Sequence, residues 1–206
     1  MRDREIREWL KALTKSFGEP RPFANATELE QLYQAEDYTG MFRSIQANYG
    51  LTMPTRFELG DSSDAPRTND GRPAPGWYRG NVATSGRHRV QDATVYCGDE
   101  WISQRHPLEM AVIVISHEFA HIALDNVWHQ LRDVEEVVDL TAMMFGYRKF
   151  YAIHATKATR AMVAARIYVE ALLAGKSPEV NEEMYASKMG TLAPEEIRYA
   201  ARLMQT

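Results

Sequence analysis

The chain is poor in cysteine, in long apolar runs and in blocks of one charge sign, and each shortage narrows what it can be. Cys97 is the single cysteine among 206 residues, so no intramolecular disulfide can form. That suits a reducing compartment, and the cytoplasm is the expected location. The longest strongly apolar stretch, Met110–Ile115, is far too short to cross a bilayer. No apolar core follows Met1-Arg2-Asp3-Arg4-Glu5, which therefore does not read as a signal peptide. Membrane insertion is not expected. The net charge of -4, with no dense Lys/Arg cluster, argues against a nucleic-acid partner. No segment repeats.

What is present is ordinary globular material. Apolar residues make up 45% and charged residues 25%. The length suits one domain over 1–206, with a helical segment over 1–50, a core over 51–150 and a second helical segment over 151–206. Ile6, Leu10 and Leu13 lie near helical spacing, and Gly18 and Pro20 end that helix. Thr27 and Glu30 have capping-box spacing and predict a second helix running towards Tyr49, with a break near Gly40. Leu51, Met53, Phe57 and Leu59 alternate with polar residues, as in a half-buried strand. Residues 60–76 are polar, rich in Gly and Pro, and read as a long surface loop. Strands are expected at about 77–84 and 88–97. Pro107 suits the first turn of a helix. Further helices are expected at about 132–148, 156–174, 178–189 and 194–204. The fold class is α+β: a small, mostly antiparallel sheet packed on one helix, with a helical C-terminal half.

The chemistry sits in His117-Glu118-Phe119-Ala120-His121. Two histidines four apart share a helix face, so both imidazoles can reach one metal ion. Glu118 is placed to take a proton from water activated at that metal. Polar groups inside an otherwise apolar helix face are costly unless something compensates them, and zinc would. The bland reading is a pair of hydrogen-bonded core histidines. Two histidines need a third ligand, and the Gly and His of a metzincin are replaced by Leu124 and Val127. Downstream, Glu135 and Asp139 are four apart on the next helix. Glu135 can complete the metal site while Asp139 takes a hydrogen bond from the outer nitrogen of a ligand histidine. His129 and Cys97 stand as alternative third ligands, and Asp125 caps the end of the helix.

These two helices resemble the gluzincin group of zinc metallopeptidases, in which HExxH is followed by a helix bearing Glu-x-x-x-Asp. The matching residues are His117, Glu118 and His121, then Glu135 and Asp139, and the likeness covers about residues 93–150. Similar compact cores occur in M48-like and ImmA/IrrE-like peptidases. The resemblance implies a zincin-like core, zinc as cofactor held by His117, His121 and Glu135, and Asp139 orienting a ligand histidine. It implies a metallopeptidase with Glu118 as general base and a peptide or protein as substrate. Tyr147, Tyr151 and His154, with Tyr199 further off, are the candidate donors to a developing oxyanion. Val95 and its neighbours are the candidate edge for pairing with an extended peptide. Two other readings stay open: a catalytically silent zincin-like binding or regulatory protein, and a non-peptide amide hydrolase using Cys97 in the manner of deformylases.

Overall fold

The computed structural model describes residues 2–61, 63–67, 71, 73–83, 89–98, 106–159 and 192–205. Three N-terminal helices come first: α1 (Asp3–Phe17), α2 (Ala26–Gln34) and α3 (Tyr38–Tyr49). The cap of α2 is Asn25 rather than Thr27; its side chain accepts from the Glu28 backbone N–H at 3.3 Å. The break before α3 falls at 35–37, not at Gly40. Glu36 takes a left-handed φ of 56°, and Asp37 caps α3 by accepting from the Gly40 N–H at 2.7 Å. An Asp immediately ahead of a new helix is the stronger start signal, and Gly40 simply lies in the first turn.

The sheet has three strands, β1 (Thr55–Gly60), β2 (Gly76–Val82) and β3 (Val90–Gly98), in the order β1-β3-β2. β3 pairs in parallel with β1 and antiparallel with β2, so the sheet is mixed rather than mostly antiparallel. β1 and β2 therefore lie on opposite sides of β3, although they are neighbours in sequence. The expectation that Val95 lies on an edge is corrected by this order. Val95 sits in the central strand, between Phe57 and Tyr78, and is fully buried. β2 is the outer strand nearest the histidine helix.

That helix, α4 (Leu108–Asn126), is apolar on nearly every side and almost wholly buried, as a helix without a polar face must be. Pro107 stands at its N-cap. An aromatic cluster grips it from α3: Phe42 packs on Phe119 at 4.9 Å, and Tyr49 stacks on Phe119 at 5.5 Å and on Phe145 at 4.3 Å. Such ring pairs contribute about 0.5–1.5 kcal/mol each beyond burial. The Tyr49 phenol also donates to the Ser116 carbonyl at 2.6 Å, one residue before His117. The C-terminal end of α4 closes with the N–H of Trp128 on the Asp125 carbonyl and that of His129 on the Leu124 carbonyl. This is the left-handed helix ending normally given to glycine, yet Trp128 occupies it at φ 52°.

α5 (Glu135–Ala142) follows, and its helix passes through a π-helical turn at Met143–Tyr147 before resuming over 148–159. Gly146, at φ 103°, makes the kink; a Cβ there would stand 2.4 Å from the Pro22 carbonyl oxygen. The carbonyls released by the kink find new donors. Arg21 N–H donates to Met144, Ala24 N–H to Gly146, and the Asn48 side chain to Phe145. The last described helix, α6 (Pro194–Leu203), docks on α1. Arg2 ties both to α5, pairing with Glu196 at 3.0 Å and Glu136 at 2.7 Å. The helix expected at 178–189 and most of that at 156–174 lie outside the described residues. No helix among the described residues is long and apolar enough to cross a membrane.

Candidate metal centre

His117 and His121 leave α4 one turn apart, with ring centroids 4.8 Å apart. Both are partly open while the rest of that helix is nearly sealed. Glu135, the first residue of α5, reaches across to them. One of its carboxylate oxygens lies 3.2 Å from His117 Nε2 and 3.5 Å from His121 Nε2. The three donor atoms lie within 4.8 Å of one another. Tetrahedral zinc with bonds of about 2.0–2.1 Å sets neighbouring ligand atoms roughly 3.4 Å apart. Two of the three separations match that edge.

Asp139, fully buried one turn after Glu135, lies 2.9 Å from His117 Nδ1. An ionised carboxylate only accepts, so Nδ1 carries a proton. In the neutral ring the lone pair is then on Nε2, facing a second carboxylate oxygen at 3.2 Å. Those lone pairs repel unless a positive charge stands between them. A proton serves: burial disfavours the charged ring, but the Asp139 and Glu135 carboxylates outweigh it and hold its pKa at about 10. Hydrogen bonds from His117 and then His121 hold Glu135 well below the usual carboxylate range. A divalent cation satisfies the same demand with both rings engaged.

The carboxylate of Asp139 is itself held. Tyr151 donates its phenol to Oδ1 at 3.0 Å, and the Leu192 N–H approaches Oδ2 at 3.4 Å. Twelve residues of straight helix would separate Tyr151 from Asp139 by about 18 Å, more than the two side chains can bridge. The kink at Gly146 brings them together. Glu118, buried beside His117, has its pKa raised by burial, partly offset by His117 and His121. A carboxylate tuned upward accepts a proton more readily near neutral pH. The strand β2 comes down onto this spot because residue 76 is glycine. A Cβ there would lie 2.6 Å from Val114 Cγ1 and 3.4 Å from Glu118 Cγ.

Four of the expected site residues therefore meet in contact, His117, His121, Glu135 and Asp139, and Glu118 lies within the electrostatic reach of His117, His121 and Glu135. The others do not join them. The His129 ring accepts from the Leu131 N–H at 3.1 Å and packs on Phe17, outside the donor group. Cys97 is fully buried in β3, its thiol pKa pushed up by burial and then by Glu118, and it too lies outside the donor group. Asp125 lies within α4 and accepts from the Tyr78 phenol, so its side chain does not cap the helix end. The expected oxyanion donors are corrected by their own bonds. Tyr147 donates to the Ile45 carbonyl at 3.4 Å, and Tyr151 is committed to Asp139 behind His117. His154 is buried, in the fields of Glu109, Lys157 and Asp139, and lies outside the donor group. Tyr199 accepts from Arg7 at 2.5 Å, where α1 meets α6.

Two residues at the site escaped the sequence reading. Gly76 passes as the end of a polar loop, although a glycine opening a strand is a sign of close backbone approach. Tyr78, two residues on and so on the same sheet face, stacks its ring 6.1 Å from that of His121. No protein-family model, curated protein or solved structure matches the chain.

Proposed function

We propose that this chain is a zinc-dependent hydrolase with a zincin-like core, acting on peptide bonds. The observation that carries the reading is the meeting of His117, His121 and Glu135 donor atoms around one point, with Asp139 fixing the tautomer of His117 and Glu118 beside them. The donor set, two imidazoles and one carboxylate, is that of catalytic zinc, which keeps a fourth position open. Zinc held there supplies a Lewis acid and lowers the pKa of water towards neutrality. The chain does the rest. Glu118 accepts the proton from the attacking water and delivers it to the departing amine nitrogen. Asp139 and Tyr151 hold the His117 ring in orientation. The outer edge of β2, which pairs with no further strand among the described residues and begins beside Glu118, offers backbone groups to an extended peptide.

The test is zinc content and peptide hydrolysis across one variant series. Wild type, Glu118→Gln and Cys97→Ser should each carry about one zinc per chain, and His117→Ala and Glu135→Gln should lose it. Hydrolysis should vanish in Glu118→Gln. Full zinc retention in Glu135→Gln refutes the ligand assignment, and loss of zinc in Cys97→Ser restores the deformylase-like alternative. A zinc-loaded wild type that cleaves no peptide leaves the silent binding protein as the better account.

A further inference from the structure

One polar chain of contacts runs from the metal donors to the far end of β2 and stops at an exposed surface. The Tyr78 ring lies against His121, and its phenol donates to the Asp125 carboxylate. The Arg132 guanidinium lies 3.6 Å from that carboxylate and 4.0 Å from the centroid of the Trp128 ring. Arg89 lies over the same ring at 4.3 Å. Arg89 is fixed beside the end of β2, since its carbonyl accepts from the Ala83 N–H and its own N–H donates to the Asn126 carbonyl.

Trp128 is an odd residue for its place. It holds a left-handed position that glycine fills at least cost, and it is 45% exposed. Fold stability alone argues for glycine there. What the indole provides is a platform for two guanidiniums. Asp125, Asp133 and the negative end of the α4 dipole all gather about Arg132. Arg89, across the ring, has no carboxylate partner among the described residues. Arg132 donates from one Nη to the His129 carbonyl at 3.4 Å, and its two acidic neighbours, Asp125 and Asp133, stand off at 3.6 Å, which leaves further donors in hand. Arginine paired with an aromatic face is suited to planar recognition of a carboxylate.

We infer that Arg89, Trp128 and Arg132 form a subsite for a carboxylate of the peptide that lies along β2. The inference rests on the proposed peptide-binding site and names its preference. Ten residues of helix from Glu118 to Trp128 span about 15 Å. At roughly 3.3 Å per extended residue, the carboxylate lies about four or five residues from the bond beside Glu118.

The test uses full-length, zinc-loaded Glu118→Gln protein and measures binding, so it needs no turnover. The probes are an amidated octapeptide of alanine and glutamine, the same peptide with one glutamate at each position in turn, and the uncharged peptide with a free C-terminal carboxylate. Affinity should rise about fivefold to tenfold for glutamate at one or two adjacent positions, and the gain should shrink with added salt. If only the free C-terminus gives the gain, the carboxylate read is the chain end. Arg89→Glu in the same background should reverse the preference, favouring lysine over glutamate at those positions, with zinc content as the check on folding. Equal binding of acidic and neutral peptides overturns the subsite, as does an acidic preference that survives Arg89→Glu. The proposed hydrolase fails separately. Zinc-loaded protein with Glu118 intact that cleaves nothing, yet binds acidic peptides through Arg89, loses the activity and keeps the subsite.

Discussion

Replacing Asp139 by Asn tests whether the site is tuned for a metal. The substitution keeps shape and removes one charge from a fully buried position. Asp139 Oδ1 accepts from His117 Nδ1 at 2.9 Å and from Tyr151 at 3.0 Å. Charge-assisted hydrogen bonds contribute about 1.5–3 kcal/mol and neutral ones about 1, so each bond loses roughly 1 kcal/mol. Together they lose about 2 kcal/mol, or some thirtyfold in zinc affinity if the loss falls on the ring's ability to bind. Partners behind ligand histidines are typically worth tenfold to a hundredfold, which brackets that figure. The alternative amide rotamer is worse. It would point N–H groups at His117, push the ring proton to Nε2 and block the donor outright. Competition against a chromophoric zinc chelator at fixed pH gives the number, with circular dichroism to verify the fold. Zinc affinity within threefold of wild type, in a protein whose His117→Ala variant loses zinc, would refute the argument that Asp139 sets the tautomer.

Three further outcomes follow from the same geometry. Gly146→Ala should cost about 3 kcal/mol or more, because φ 103° and a backbone oxygen 2.4 Å from the new Cβ leave no room to adapt; the denaturation midpoint reads it, and zinc affinity should fall as Tyr151 is drawn off Asp139. Gly76→Ala should lift β2 from α4 at Val114, destabilise by about 1–3 kcal/mol, and lower peptide hydrolysis more than zinc content. Zinc uptake at pH 7.5 should release about one proton from His117, which its pKa of about 10 keeps protonated beforehand. Calorimetry in buffers of different ionisation heat measures that release, and its absence would mean that Nε2 is already bare.

Much of the centre was legible because its determinants are local. The i, i+4 spacings of His117 with His121 and of Glu135 with Asp139 fix faces on two helices whatever surrounds them. The α+β order and the outer limits of α4 follow from periodicity and Pro107. What stayed hidden depends on chain segments far apart in sequence. Strand order is set by which side of β3 the chain reaches after the 61–75 segment, and no residue of β3 encodes that. The π-helical kink depends on the 20–25 strand of chain supplying donors to Met144 and Gly146 carbonyls. Tyr151 reads as one more core aromatic until that kink turns it onto Asp139. Tyr147 reads as a site residue by sequence nearness, and burial turns its phenol to the Ile45 carbonyl instead.

The charge arrangement at the centre leads to one more expectation. Glu118, Glu135 and Asp139 bring three carboxylates together with two imidazoles, on helices otherwise packed with apolar side chains. Neutral rings leave the buried Glu118 and Asp139 charges, with the exposed Glu135 carboxylate facing them, and a protonated His117 offsets only one of the three. A divalent cation offsets two and joins α4 to α5 through bonds to both. Zinc removal should therefore lower the unfolding temperature, by an amount set by RT ln(1 + [Zn]/Kd), about 4 kcal/mol at a thousandfold excess over Kd. The helices joined by the ion should loosen first. Amide exchange after chelation should quicken around His121 and Glu135 while β3 keeps its protection. Uniform exchange rates before and after chelation, with an unchanged unfolding temperature, would mean that the folded centre holds its charges apart without a metal.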